Sequence, residues 1–131
     1  MLEKHLFEYA VIRVIPRVER EEFLNVGVIL YCAPQDFLQT AFELDEERLR
    51  AFACDLTTSE IEEHLVAFEQ ICAGGPKAGA IGKLPLGERF RWLTAPRSTV
   101  VQTSAVHTGL SSDAQETLAD LLTKLVKVEL A

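Results

Sequence analysis

The sequence predicts an α+β fold: an antiparallel sheet of three or four strands, opened by an N-terminal meander, with helices packed mainly on one face. Three observations carry this. Three β-rich apolar runs fill the first 44 residues, and the links between them are too short for a crossover helix. Two later stretches place apolar residues at helical spacing behind capping signals. No repeat, low-complexity tract or linker divides residues 1–131, so the chain reads as one domain, long enough at 131 residues to bury a core.

The first run covers residues 7–15 and is apolar except for Glu8 and Arg13. Pro16 stops it, because proline has no N–H to offer a ladder. A charged connection leads to a second strand at 23–32, and Ala33-Pro34-Gln35-Asp36 reads as a turn. A third strand over 37–44 puts Leu38, Phe42 and Leu44 on one face and Gln39 and Glu43 on the other. Asp45 caps a short helix carrying Leu49 and Phe52 inward. Thr57-x-x-Glu60 and Ser59-x-x-Glu62 both fit a capping box, and either starts a helix whose stripe is Ile61, Leu65, Phe68 and Cys72. Gly74-Gly75-Pro76 ends it. Four of the residues in 77–87 are Gly or Pro, which predicts a mobile loop without the order of a phosphate cradle. A fourth, weaker strand is expected at 98–106. Ser112-x-x-Gln115 then caps a last helix whose apolar face is Leu118, Leu121, Leu122, Leu125 and Val128.

The 13 basic residues are outnumbered by 20 acidic ones, a net charge of −7, which argues against broad nucleic-acid binding. One segment departs from this balance. Residues 74–109 hold Lys77, Lys83, Arg89, Arg91 and Arg97 against Glu88 alone, a local +4 suited to an anion. Cys32, Cys54 and Cys72 are an odd set without CxxC spacing and read as buried reduced thiols. No apolar stretch reaches the roughly 20 residues of a membrane span, and the N-terminus lacks a signal pattern. The expected address is cytoplasmic, with no membrane partner.

Two polar constellations stand out. In the second strand Leu24, Val26, Val28, Leu30 and Cys32 belong against helices, while the other face carries Asn25 and Gly27 among Phe23, Ile29 and Tyr31. A glycine there marks a bulge or a close approach. A hairpin centred near Glu19 sets Arg13 across from Asn25 on the same face. That pair either forms a site or is structural, with Arg13 held by Glu22 or Glu8 and Asn25 tying down a bulge. The second constellation is Arg91, Trp92, Arg97, Ser98, Gln102, Ser104 and His107. Arginine offers a planar fork to carboxylate or phosphate. Trp92 either stacks on a ligand ring or fills the core, and His107 is either an acid/base or a hydrogen-bonded surface residue. No nucleophile elbow, HExxH or paired metal histidines occur, so no catalytic residue, metal ligand or cofactor is assigned.

The elements Arg13-x-x-Pro16 and Glu22-Phe23-x-Asn25-x-Gly27, with the looser Ala95-Pro96-Arg97-Ser98-Thr99 and His107-Thr108-Gly109, resemble the bacterial family catalogued as domain of unknown function 3037. The resemblance spans nearly the whole chain. It implies no activity and no catalytic residues; it implies a partner protein, since relatives are associated with HipA-like kinases.

Three functional expectations follow. The first is a binding or regulatory module in which Arg13, Asn25, Arg91, Trp92, Arg97, Ser98, Gln102 and His107 supply the groups that hold an anionic small molecule or an acidic partner segment. The second is a small hydrolase or transferase acting on a phosphorylated substrate, with His107 as acid/base. The third is an interaction domain, homo-oligomeric or partnering a HipA-like kinase, that uses a free strand edge or the flank of the last helix.

Overall fold

Alternation in the N-terminal runs builds the sheet, and the computed structural model describes residues 3–52, 57–97 and 99–127 of the result. In chain order the strands are β1 (His5–Val14), β2 (Leu24–Cys32), β3 (Phe37–Phe42), β4 (Val101–Thr103) and β5 (His107–Ser111). The helices are α1 (Glu46–Phe52), α2 (Thr58–Ala73), α3 (Leu86–Thr94) and α4 (Ala114–Leu125). The order across the sheet is β3-β2-β1, with β4 and β5 sharing the outer edge of β1, and every pairing is antiparallel. The sheet thus has five strands rather than three or four.

The expected register of the first hairpin holds: Arg13 pairs with Asn25. One feature changes the facing of β2. Ile12 pairs with Gly27 and Arg13 with Asn25, so Val26 is an extra residue, a bulge. A one-residue insertion switches sides for everything beyond it. Val26 therefore packs in one layer together with Ile29, while Val28, Leu30 and Cys32 face the other. The sequence put all the even positions of β2 on one face; the bulge divides them. Gly27 allows this crowding, since a Cβ there would lie 2.8 Å from the Ala41 carbonyl oxygen and 2.9 Å from Phe42 Cβ.

Both faces are covered, unequally. On one, Ala10, Ile12 and Val14 pack with Leu49 of α1, Ile61, Leu65 and Phe68 of α2, and Phe90 and Leu93 of α3. On the other, Phe7, Val28, Leu30 and Cys32 pack beneath Ala114 and Leu118 of α4. Of the two capping boxes Thr57 is the one used, its side chain accepting from the Glu60 N–H at 3.3 Å. Asp113, one residue past the expected Ser112, caps α4 through the Glu116 N–H at 3.2 Å. Asp45 caps α1, accepting from the N–H groups of Glu47 and Arg48. Cys54 and Val128 lie outside the described residues.

The stretch expected to be a mobile loop instead forms short turns at Pro76–Ala78 and Ile81–Lys83 and then enters α3 at Leu86. Arg89 explains why. Its Nε donates to the Leu84 carbonyl at 2.9 Å, and its Nη1 donates to the Ile71 and Cys72 carbonyls, each at 2.9 Å. Those last two belong to the final turn of α2, whose carbonyls have no partner within the helix. The expected strand at 98–106 is also divided. Residues 104–106 pass only Ala10 and Val11, a second bulge, and β5 resumes the pairing beyond it. Ser104 fills the break: its Oγ accepts from the Val11 N–H at 2.9 Å, and its own N–H donates to the Val11 carbonyl at 2.8 Å.

Two substitutions probe these supports. Gly27→Ala forces a methyl against the β3 backbone and is expected to cost about 1–3 kcal/mol. Arg89→Ala strands the α2 carbonyls and is expected to cost about 3 kcal/mol, with no recovery in Arg89→Lys, which lacks the fork. Urea midpoints at unchanged m-value measure both.

Candidate functional site

In β1 the odd positions Phe7, Tyr9, Val11 and Arg13 point to the α4 side of the sheet. Register places Arg13 between Asn25 on β2 and Gln102 on β4. Neighbouring strands lie about 4.8 Å apart, so three polar side chains stand in one row across the sheet. Phe23, at the entry to β2, is 45% exposed and supports the guanidinium, whose central carbon sits 3.9 Å from the ring centroid.

The partners of this row decide its character. Arg13 Nε is sequestered from solvent and has no hydrogen-bond partner. The carboxylates considered for it are engaged elsewhere: Glu22 pairs with Arg20, and Glu8 lies 3.7 Å from Arg91. Asn25 Nδ2 donates to the Leu125 carbonyl at 3.1 Å, tying β2 to the end of α4, while its Oδ1 is sequestered and has no hydrogen-bond partner. Gln102 Nε2 donates to the Thr99 carbonyl at 2.8 Å. A buried donor on a cation and a buried acceptor, both unmatched, therefore stand on adjacent strands. Leaving such groups unpaired costs about 1–3 kcal/mol each, more when charged. Beside Asn25 a cavity of about 460 Å³ opens between β2, α1 and the end of α4. Arg48 and Lys127 line it together with Glu43, Asp45 and Glu46. Arg48 donates to the Val126 carbonyl at 3.2 Å.

The other expected site residues do not join the row. Arg91 and Trp92 are on α3, in the opposite layer; Arg91 faces solvent beside Glu8, and Trp92 is 40% exposed rather than part of the core. Arg97 stacks 4.1 Å above the Trp92 ring and donates to the Trp92 carbonyl. Burial lowers its pKa from the ordinary guanidinium value. The expected convergence of guanidinium groups is thus corrected to one guanidinium, Arg13, with two amides. The cause is α3, which carries Arg91 and Trp92 behind the sheet. Ser98 lies outside the described residues. His107 is on the Arg13 face but pairs with Tyr9, its ring 5.3 Å from the tyrosine ring. Four residues of β1, about 13 Å, separate that pair from Arg13.

Sequence reasoning missed two features. Phe23 as a platform was readable, since it shares the parity of Asn25. A second cleft of about 570 Å³ beside β3, lined by Gln39, Thr40, Glu69, Cys72 and Arg89, depends on how α2 and α3 meet and left no local signal. Its thiol is not poised to react. Burial pushes Cys72 up to about 11, with the Thr40 hydroxyl 3.2 Å away opposing the rise only in part. Among the described residues no group of three His, Cys, Asp or Glu side chains is arranged to hold a metal ion, and no helix is long and apolar enough to cross a membrane.

Fold and row together define a class: an α+β protein with helices on both faces of an antiparallel sheet and a single guanidinium set between two amides on the α4 side. The chain belongs to the family described as protein of unknown function (DUF3037), which matches residues 9–126 and so includes the whole row. No curated protein and no solved structure matches it.

Cys72 supplies a test of the second cleft. At pH 8 its alkylation in the folded protein, followed by peptide mapping, is expected to be roughly a hundredfold slower than in the unfolded chain. Its folded pKa lies above the unfolded value near 9.0, so the folded state holds the proton longer. That contribution to stability is complete below pH 9 and falls by about 1.4 kcal/mol per unit as pH rises toward 11, a slope absent in Cys72→Ala.

Proposed function

We propose that the protein is a non-catalytic binding or regulatory module that holds an anionic group, from a small molecule or an acidic segment of a partner, at Arg13. The observation that carries this reading is Arg13 itself: a guanidinium set in a strand and braced on Phe23, with its Nε buried and unmatched. An anion accepting from it gains a charge-assisted bond and removes a desolvation cost already present in the free protein. Asn25 and Gln102 on either side supply orientation, and the unmatched Asn25 Oδ1 favours an anion that also carries a hydroxyl or protonated oxygen. Two buried free thiols, Cys32 and Cys72, suit a reducing, cytoplasmic setting. A partner such as a HipA-like kinase would engage the same spot through its own acidic residues.

A thermal-shift series with inorganic phosphate, nucleotides and an acidic peptide tests this. A ligand at a hundred times its Kd adds about 2.7 kcal/mol of stability. The expected result is a rise in melting temperature lost in Arg13→Gln and kept in Arg91→Ala and Arg97→Ala. A rise that survives Arg13→Gln, or no rise with any anion, overturns the reading.

A further inference from the structure

The exit from β3 reads Glu43-Leu44-Asp45-Glu46, with acids on both sides of an apolar residue. It forms one wall of the cavity of about 460 Å³ beside Asn25. Elementary chemistry divides the lining into an apolar floor and a charged rim. Val26, Leu49 and Val126 are buried, and the half-buried Leu24 and Leu44 complete the apolar surface. Around them stand three carboxylates and two cations. Arg13 takes no part in this wall.

The two signs are separated. The Glu43 N–H donates to the Val26 carbonyl at 2.9 Å and Glu46 opens α1, so the carboxylates gather where β3 passes into α1. Arg48 reaches the Val126 carbonyl at 3.2 Å, which brings its guanidinium beside Lys127 at the end of α4. Local needs leave much of this charge over. Asp45 is occupied in capping α1, and Arg48 spends one N–H of its fork on Val126. The side chains of Glu43, Glu46 and Lys127 form no ion pair or hydrogen bond among the described residues. Asn25, bonded to the Leu125 carbonyl and next in sequence to Val26, links the two ends, and its buried Oδ1 has no partner.

We infer that this cavity is a binding site for a free aliphatic α-amino acid, separate from the anion site at Arg13. Each part of such a ligand answers one part of the lining. Its ammonium is drawn to Glu43 and Glu46, and its N–H groups suit a wall that holds an unmatched acceptor. Its carboxylate is drawn to Lys127 and to the remaining fork of Arg48. Its hydrocarbon side chain removes Leu24, Leu44 and Leu49 from water. The volume falls in the range of small-molecule sites, about 300–1,000 Å³. Ligands of one sign fit less well. A simple anion meets the carboxylates at one end, and a simple amine meets the cations at the other.

Amide chemical shifts followed by NMR during titration with L-leucine test the inference, with isopentylamine and isocaproate as probes that each lack one of its charges. The expected result is saturable shifts at residues 24–26, 43–49 and 126, with a dissociation constant of about 0.1–1 mM for a ligand of this size. The constant rises at least about fivefold for either single-charge probe, in the double variant Glu43→Gln/Glu46→Gln and in Lys127→Gln. It is unchanged in Arg13→Gln, so this site stands or falls apart from the anion reading. Circular dichroism is the same throughout, because Glu43, Glu46 and Lys127 are exposed. No shift at about 20 mM leucine, well above the expected range, overturns the proposal. So does equal binding of the amine or the acid alone, indifference to the double variant, or loss of binding in Arg13→Gln.

Discussion

One constraint orders this molecule: β1 is paired along both edges, and each neighbour uses one residue more than β1 in passing it. On the β2 side the extra residue is Val26; on the outer side it falls within 104–106. The two bulges flank the same short part of β1, from Ala10 to Arg13. Bulges sharpen local twist and re-aim side chains. Here they divide β2 between two apolar layers and set Arg13, Asn25 and Gln102 side by side. Gly27 and Ser104 make the arrangement tolerable, one by lacking a side chain beside β3 and the other by lending a hydroxyl to the Val11 amide.

The basic segment shows how a linear excess of charge can fail to become a local field. Arg89 is consumed in holding the end of α2, Arg91 lies beside Glu8, and Arg97 rests on Trp92. Each finds its own partner within a few residues or across one helix contact. Arg13, isolated in an apolar strand and absent from any cluster in the sequence, keeps a buried Nε without a hydrogen-bond partner. One buried nitrogen without a partner, rather than the number of cations, distinguishes it.

The legible part of the sequence was whatever parity and caps determine. The Arg13–Asn25 pairing followed from the hairpin centre, and the start of α2 was narrowed to the capping boxes at Thr57 and Ser59, whereas Gly27 pointed to either a bulge or a close approach and left the division of the even positions of β2 unread. Leu86, Phe90 and Leu93 do keep helical spacing, but Pro85 and Gly87 punctuate the start of α3 and disguise it as loop. That one misreading displaced Arg91 and Trp92 to the wrong layer. β5 escaped notice because an edge strand of five residues with a central glycine has neither alternation nor an apolar run. Its neighbour β4 was visible only as an unexpectedly polar strand, which is what exposure on one edge permits.

The amide of Asn25 has two ends with different obligations. Its nitrogen is bound to the last turn of α4, and its oxygen stands in the row with Arg13. Because the group is rigid and planar, rotating it to serve one end disturbs the other. A group that bonds this oxygen therefore draws on the same rigid amide that ties β2 to the end of α4.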